Sequence, residues 1–248
     1  MPPALRVFDD LEALGRAAAE RWVSLCAEAI AARGAFHVAL SGGTTPYRLY
    51  QHLACNAFSS RIDWSKVHIY FTDERCVPHD HPDSNYRMAS EALLNHVPVP
   101  SSQIHAIEAD LAYVRERAAA YSRVLDINAP RAADGGAWLD LMMLGMGPDG
   151  HIASLFPASG EALRDKRLAV AVYAQSRKSW RISVTFPVIN QARHIQLLVA
   201  GEGKAKTVAQ AFAPAPGAAA LPVQMIKPAH EMEWYLDAAA ASLLPPAS

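Results

Sequence analysis

Asp149 and His151 stand two residues apart in the segment Trp138–Pro157, WLDLMMLGMGPDGHIASLFP, inside a turn rich in glycine. An imidazole is the side chain that most often takes or gives a proton near neutral pH, so proton transfer is the chemistry expected here. His151 falls at the expected start of a short helix, whose N-terminus disfavours the imidazolium and keeps the ring able to accept a proton; Asp149 pulls the other way. A second group of residues suits a different task. Ser41-Gly42-Gly43-Thr44-Thr45-Pro46 lets the backbone approach a ligand closely and offers free N–H donors at a helix start, which is a cradle for an anion, with phosphate the obvious guest. It lacks the G-K-[ST] ending of a nucleotide-binding loop. Two more charged clusters follow: Thr72-Asp73-Glu74-Arg75, and Gly201-Glu202-Gly203-Lys204, where a lysine at a helix start makes sense if an anion sits between it and the helix.

The elements that must carry these groups read as alternating strands and helices. Leu139 and Leu141–Leu144 form a short apolar run with one acid, Asp140, as expected of a strand covered on both faces in a parallel sheet. In such sheets ligands bind outside the carboxyl ends of the strands, where the Gly145–His151 turn lies. Asp9 or Asp10 and Gly34 bracket a first helix. Phe36–Leu40 reads as a strand, followed by a helix Tyr47–Ala54 with Pro46 at its first position and Thr44 or Thr45 as cap. Val67–Phe71 is the next strand. Ser84 is placed to cap a helix 85–96 and Asp110 a helix 111–125. Leu168–Ala174, Arg181–Phe186 and His194–Ala200 are three further strands. The Pro/Gly stretch 128–137 is the best candidate linker, but the strand after it continues the same alternation, so one α/β domain over residues 1–248 is expected.

Several function classes are excluded. Gly145-Met-Gly147-Pro-Asp-Gly150 satisfies the dinucleotide pattern G-x-G-x-x-G, yet Pro157 allows barely two turns of following helix, and the next apolar strand ends in Gln175 and Ser176 rather than an acid for a ribose. His79, Asp80, His81 and Asp83 lack the spacing of a metal site, and the three cysteines lack C-x-x-C spacing. Cys26 and Cys55 are expected in the core. With 248 residues, a formal charge of −1 and 51% hydrophobic residues, the chain can bury a full core. It has no basic run for nucleic acid, no leader and no apolar stretch of spanning length, so a soluble cytoplasmic protein is expected.

In order along the chain, Leu40-Ser-Gly-Gly-Thr-Thr-Pro46, Asp73-Glu-Arg75 with Ser84-Asn-Tyr-Arg87, Gly145–Pro157, Arg181-Ile-Ser-Val-Thr185, Gly201-Glu-Gly-Lys204, Leu221-Pro222 and Trp234-Tyr-Leu-Asp237 resemble the 6-phosphogluconolactonases, within the wider group that includes glucosamine-6-phosphate deaminase. The resemblance implies a three-layer αβα sandwich on a mostly parallel, Rossmann-like sheet. It also implies hydrolysis of 6-phosphogluconolactone to 6-phosphogluconate in the pentose phosphate pathway, with neither metal nor cofactor. By resemblance His151 is the catalytic base with Asp149 beside it, Asp73 and Arg75 line the site, and Gly42, Gly43, Thr44, Arg181 and Lys204 match phosphate-binding positions. The residue types agree, since a lactone is an ester whose hydrolysis needs a base for water and a cation near the developing oxyanion. The implied partner is a phosphorylated sugar lactone, with no nucleic acid or membrane, and the chain a monomer or weak homo-oligomer. Deaminase relatives carry an aromatic residue where this chain has Arg75. An amino-sugar-phosphate isomerase or deaminase, and a non-catalytic sugar-phosphate sensor, are the alternatives.

Overall fold

The computed structural model describes residues 4–131 and 136–245. In chain order the strands are β1 (Ala4–Phe8), β2 (Phe36–Leu40), β3 (Val67–Phe71), β4 (Asp73–Arg75), β5 (Leu141–Gly145), β6 (Ala169–Ala174), β7 (Ser179–Val184), β8 (His194–Val199) and β9 (Glu231–Asp237). The helices are α1 (Leu11–Arg33), α2 (Thr44–Ala54), α3 (Asn56–Ser59), α4 (Asn85–Ala92), α5 (Val114–Asn128), α6 (Phe186–Gln191), α7 (Ala205–Phe212) and α8 (Ala238–Ala241).

Six strands form one wholly parallel sheet in the order β1-β9-β8-β5-β2-β3. Its centre is apolar on both faces: every residue of β2, and Leu141–Leu144 of β5, is buried. Parallel crossovers are right-handed, so the steps β1 to β2 and β2 to β3 put α1 and α2 on one face, whereas β5 to β8 and β8 to β9 run the opposite way and put α6 and α7 on the other. The result is the expected three-layer αβα arrangement. Between β5 and β2 the direction of winding reverses, which opens the crevice where such sheets hold ligands.

The first helix is bounded as its caps dictate: Asp10 Oδ1 accepts from Ala13 N at 2.8 Å, and Gly34 ends the helix in the left-handed region at φ 83°. Other boundaries differ from expectation. Asp110 makes a turn with Ala112 N rather than a cap, and α5 begins three residues later at Val114. Helix α4 stops at Ala92, with a 3-10 turn at Leu94–His96 completing the segment. Two of the three further strands expected after the central turn, β6 and β7, join β4 in a second sheet, β4-β7-β6, which is antiparallel. The four residues joining β6 to β7 make a hairpin and are too few for a parallel crossover. Cys26 is buried but Cys55 is exposed at the end of α2, so only the first belongs to the core. Of the candidate linker, residues 132–135 lie outside those described; its ends meet, with Trp138 N donating to Pro130 O at 3.0 Å. Among the described residues no helix is long and apolar enough to cross a membrane.

Candidate active site

The carboxyl ends of β2 and β5 adjoin at the reversal point, where a Cβ on Gly145 would lie 3.9 Å from the Gly42 carbonyl oxygen. The loop after β2 runs directly into α2. Its N-cap is Gly43 at φ 108°, a conformation open to glycine, and no side chain caps the helix. The expected capping by Thr44 or Thr45 does not occur, because both already lie inside the helix. Pro46 is its third residue rather than its first, and still sacrifices no bond because the first turn's N–H groups have no intrahelical acceptor. Those donors stay available to a ligand. Gly42 has a separate reason to be glycine, since a Cβ there would meet Asn85 Oδ1 at 1.9 Å. Asn85 is held in place by donating Nδ2 to Asp73 O at 2.8 Å.

The turn after β5 closes on itself through Gly147 N to His151 O at 2.9 Å and Gly150 N to Gly147 O at 3.0 Å. His151 Nδ1 lies 2.5 Å from Asp149 Oδ1, and its backbone N–H points to the same oxygen at 3.3 Å. No helix starts here: residues 151–155 form turns joined by isolated bridges, Met146 with Ile152 and Ile152 with Leu155. The carboxylate, not a helix dipole, therefore controls the ring. Burial opposes the Asp149 charge, but the His151 side chain and N–H outweigh it and hold the carboxyl at about 2. An ionised Asp149 must accept from Nδ1–H, which leaves Nε2 as the nitrogen with a free lone pair. Gly147 makes the pair possible, because a Cβ there would sit 2.0 Å from His151 Nδ1 and 2.7 Å from Asp149 Oδ1.

Strand β4 supplies the third cluster. Glu74 is buried and accepts from Arg75 N, Asn85 N, Tyr86 N and Ser84 Oγ, so it ties the strand to the start of α4; burial raises its pKa against those four bonds. Asp73, only 5% exposed, accepts from Ser154 Oγ at 2.6 Å and from Asn85 Nδ2 at 3.3 Å. It joins the turn after β5 to the second sheet. Arg75 stands directly opposite Arg181 in the β4–β7 ladder, a like-charge pairing that is unfavourable unless an anion lies between. Burial lowers the Arg181 pKa, with Asp73 opposing and Arg75 and Arg177 adding to the fall. Lys204 is likewise lowered by burial, with Asp149 opposing and Arg177 adding. A cavity of about 220 Å³ is lined by Gly42, Gly43, Thr44, Asp73, Arg75, His151, Arg181 and Lys204. A neighbouring one of about 540 Å³ shares Arg75, His151, Arg177 and Arg181. All nine expected site residues thus meet here, eight on the cavity wall and Asp149 through His151.

Residues 9–235 match the family described as glucosamine-6-phosphate isomerases/6-phosphogluconolactonase. The chain belongs to this family. The 6-phosphogluconolactonase of Mycobacterium tuberculosis is 39% identical over 250 residues, spanning 99% of this chain and 100% of that protein. The solved structure of 6-phosphogluconolactonase from Trypanosoma brucei is similar with a TM-score of 0.86 at 25% identity, over 98% of this chain and 99% of that one. A monomeric glucosamine-6-phosphate deaminase shares the fold with a TM-score of 0.79 at 19% identity, over 97% and 99% of the two chains.

Three residues join the site that motif reasoning did not single out. Asn85 braces Gly42, and Ser154 anchors Asp73; both are buried polar side chains inside the quoted motifs. Arg177 lines both cavities from the β6–β7 hairpin, and its only sequence signal was three cations in the five residues Arg177–Arg181. The loop that carries His79 is fastened instead of free: His79 Nε2 lies 3.0 Å from Ile107 O, and its ring stacks on Tyr86.

Proposed function

We propose that this protein hydrolyses 6-phospho-D-glucono-1,5-lactone to 6-phosphogluconate in the oxidative pentose phosphate pathway, as one sugar-phosphate-binding domain, with His151 as general base. The observation that carries this reading is the Asp149–His151 pair at 2.5 Å on the wall of a cavity ringed by cations. Nε2 takes a proton from water, and the resulting hydroxide attacks the lactone carbonyl. The oxyanion forms beside the Arg75 guanidinium, a cation that lines both cavities together with His151. Collapse breaks the bond between the carbonyl carbon and the ring oxygen, the imidazolium returns its proton to that oxygen to give a free hydroxyl, and the new carboxylic acid loses its proton to solvent to leave the carboxylate. Asp149 fixes the tautomer and stabilises the transient imidazolium. Asp73 has its oxygens engaged by Ser154 and Asn85, which suits a positioning role better than proton transfer. Gly42, Gly43 and Thr44 with Arg181 and Lys204 hold the phosphate, fixing the carbonyl at a set distance from it.

The test offers the phosphorylated lactone and glucosamine 6-phosphate separately. Release of 6-phosphogluconate above the spontaneous rate is expected with no ammonia; ammonia from the amino sugar would favour the deaminase reading. His151→Gln keeps polarity and removes basicity, so kcat should fall about 10²- to 10⁴-fold with KM little altered. A folded His151→Gln protein keeping more than about a tenth of wild-type kcat would exclude His151 as the base.

A further inference from the structure

Arg177 sits in the four-residue turn 175–178 between β6 and β7, and the turn is completed by Lys178 in the left-handed region at φ 49° and ψ 39°. Its neighbours in space come from both sheets. Arg181 belongs to the antiparallel sheet, and Lys204 lies at the end of the loop that leaves β8 of the parallel one. Arg177 lines the 220 Å³ cavity together with Lys204, Arg181 and the Gly42–Thr44 loop, and it also lines the 540 Å³ cavity beyond. It is exposed, and among the described residues it, Arg181 and Lys204 have no carboxylate within ion-pair distance. Three unpaired cations around one cavity repel one another, and a ligand of opposite charge relieves that repulsion.

The electrostatics bear on where that ligand sits. Arg177 depresses both Arg181 and Lys204, whereas Arg181 does not figure among the charges acting on Lys204. Arg177 is therefore the cation that bridges the two. We propose that Arg177 is a specificity-determining residue of the anion site, a guanidinium carried on the β6–β7 hairpin that closes over a phosphate monoester dianion and links it from Lys204 on one sheet to Arg181 on the other. This rests on the proposed lactonase reading for its substrate, but not for its ligand chemistry. A fork of donors suits phosphate oxygens, and a hairpin turn can approach or leave the anion without disturbing either sheet.

The experiment uses the full chain and three proteins: wild type, Arg177→Gln and Arg177→Lys. Inorganic phosphate is the probe, read as an increase in melting temperature and as a competitive inhibition constant, alongside kinetics on the phosphorylated lactone and on unphosphorylated glucono-1,5-lactone. For Arg177→Gln, KM for the phosphorylated lactone and the inhibition constant for phosphate should rise together by about 5- to 20-fold. Its kcat on that substrate and its kcat/KM on the unphosphorylated lactone should stay unchanged. Arg177→Lys should recover part of the loss. Without phosphate, Arg177→Gln should melt at or above the wild-type temperature, because one repelling charge is gone; a turn weakened by the substitution would melt below it. An unchanged KM and inhibition constant would overturn the proposal, and so would an equal loss on both lactones. If wild type fails to hydrolyse the lactone while phosphate stabilises it and not Arg177→Gln, the lactonase reading fails and this inference stands. If wild type hydrolyses the lactone and phosphate stabilises both proteins equally, this inference alone fails.

Discussion

Gly147→Ala tests whether the His151–Asp149 geometry is what the site depends on, without altering either of those residues. Gly147 is outside the left-handed region, so the effect of a methyl group there is steric. The added Cβ would lie 2.0 Å from His151 Nδ1, 2.1 Å from Cε1 and 2.7 Å from Asp149 Oδ1. Ordinary contact needs roughly 3.5 Å, so the ring has to retreat by about 1.5 Å or rotate out of the turn. Either movement breaks the 2.5 Å bond to Asp149 and takes Nε2 away from the position it holds over the cavity. A misplacement of about 1 Å can cost on the order of 10²-fold in rate, and complete loss of a positioned base about 10²–10⁴. We expect kcat to fall by at least about 10²-fold with KM changed less than about threefold, because the phosphate contacts come from other loops. Stability should fall by only about 1–2 kcal/mol, since the ring is partly exposed and can swing outward. The assay is initial-rate hydrolysis with the spontaneous reaction subtracted, paired with thermal unfolding. A well-folded Gly147→Ala protein with kcat within threefold of wild type would refute the reasoning that this pair is the base.

Arg181→Ala should raise KM by about 10- to 150-fold, the equivalent of a charge-assisted bond worth about 1.5–3 kcal/mol, and an unchanged KM would remove Arg181 from the phosphate site. At the opposite end of the sheet His37 and His68 stack at 4.4 Å and His68 Nδ1 lies 3.3 Å from His105 Nε2, with Tyr70, Arg33 and Asp140 around them. Burial, with His68, His105 and Arg33 adding, lowers His37 to about 3; burial, with His68 adding, lowers His105 to about 4; burial also lowers His68. These rings stay neutral in the folded chain while the unfolded chain takes up protons below about pH 6.5, so stability should fall on acidification from there, His37 alone contributing up to about 1.4 kcal/mol per pH unit. Urea unfolding at pH 7 and pH 5 checks this, and a pH-independent midpoint would contradict it. Lys178→Gly relieves a left-handed non-glycine residue and should raise unfolding free energy by a few tenths to about 1 kcal/mol, read by chemical denaturation; a loss of stability would mean that the Lys178 side chain has a partner in solution.

Much of this architecture was legible where a local signal coincides with tertiary packing. Asp10 and Gly34 bound α1 because both supply what a helix end needs, and β2 and β3 match their apolar runs to the residue. The first and last strands of the chain were not legible. Strand β1 shows no apolar alternation because it is largely exposed, and β9 carries acids at Glu231 and Glu233 that read as solvent-facing. Glu233 is in fact buried, tolerated because Arg6 and Arg21 pair with it at 2.8 and 3.0 Å. An apolar run does not say which sheet will receive it, so the second sheet of β6 and β7 did not show, although the short connection between them held the information. At the site, residue types and glycine spacing pointed to loops that the fold brings around one cavity, whereas the source of control over His151 did not show. It depends on a 2.5 Å contact that an expected helix start concealed. Arg177 escaped for a related reason: a cation in a hairpin turn looks like an ordinary surface residue until the fold brings Lys204 beside it.

Among the described residues the first strand pairs along its length only with the last. Ala4–Phe8 lie against Glu233–Asp237 in parallel register, with Leu5 and Val7 on an otherwise exposed edge. During synthesis β1 leaves the ribosome before β2 to β8, yet its partner does not exist until all of these have been made. Strands β2 and β3 are neighbours in sequence and in the sheet, so the far side of the sheet can pair early while β1 waits. The nascent chain therefore carries an unpaired strand for as long as β2 to β8 are being made, a period in which it is open to other chains and to the chaperones that shield such edges.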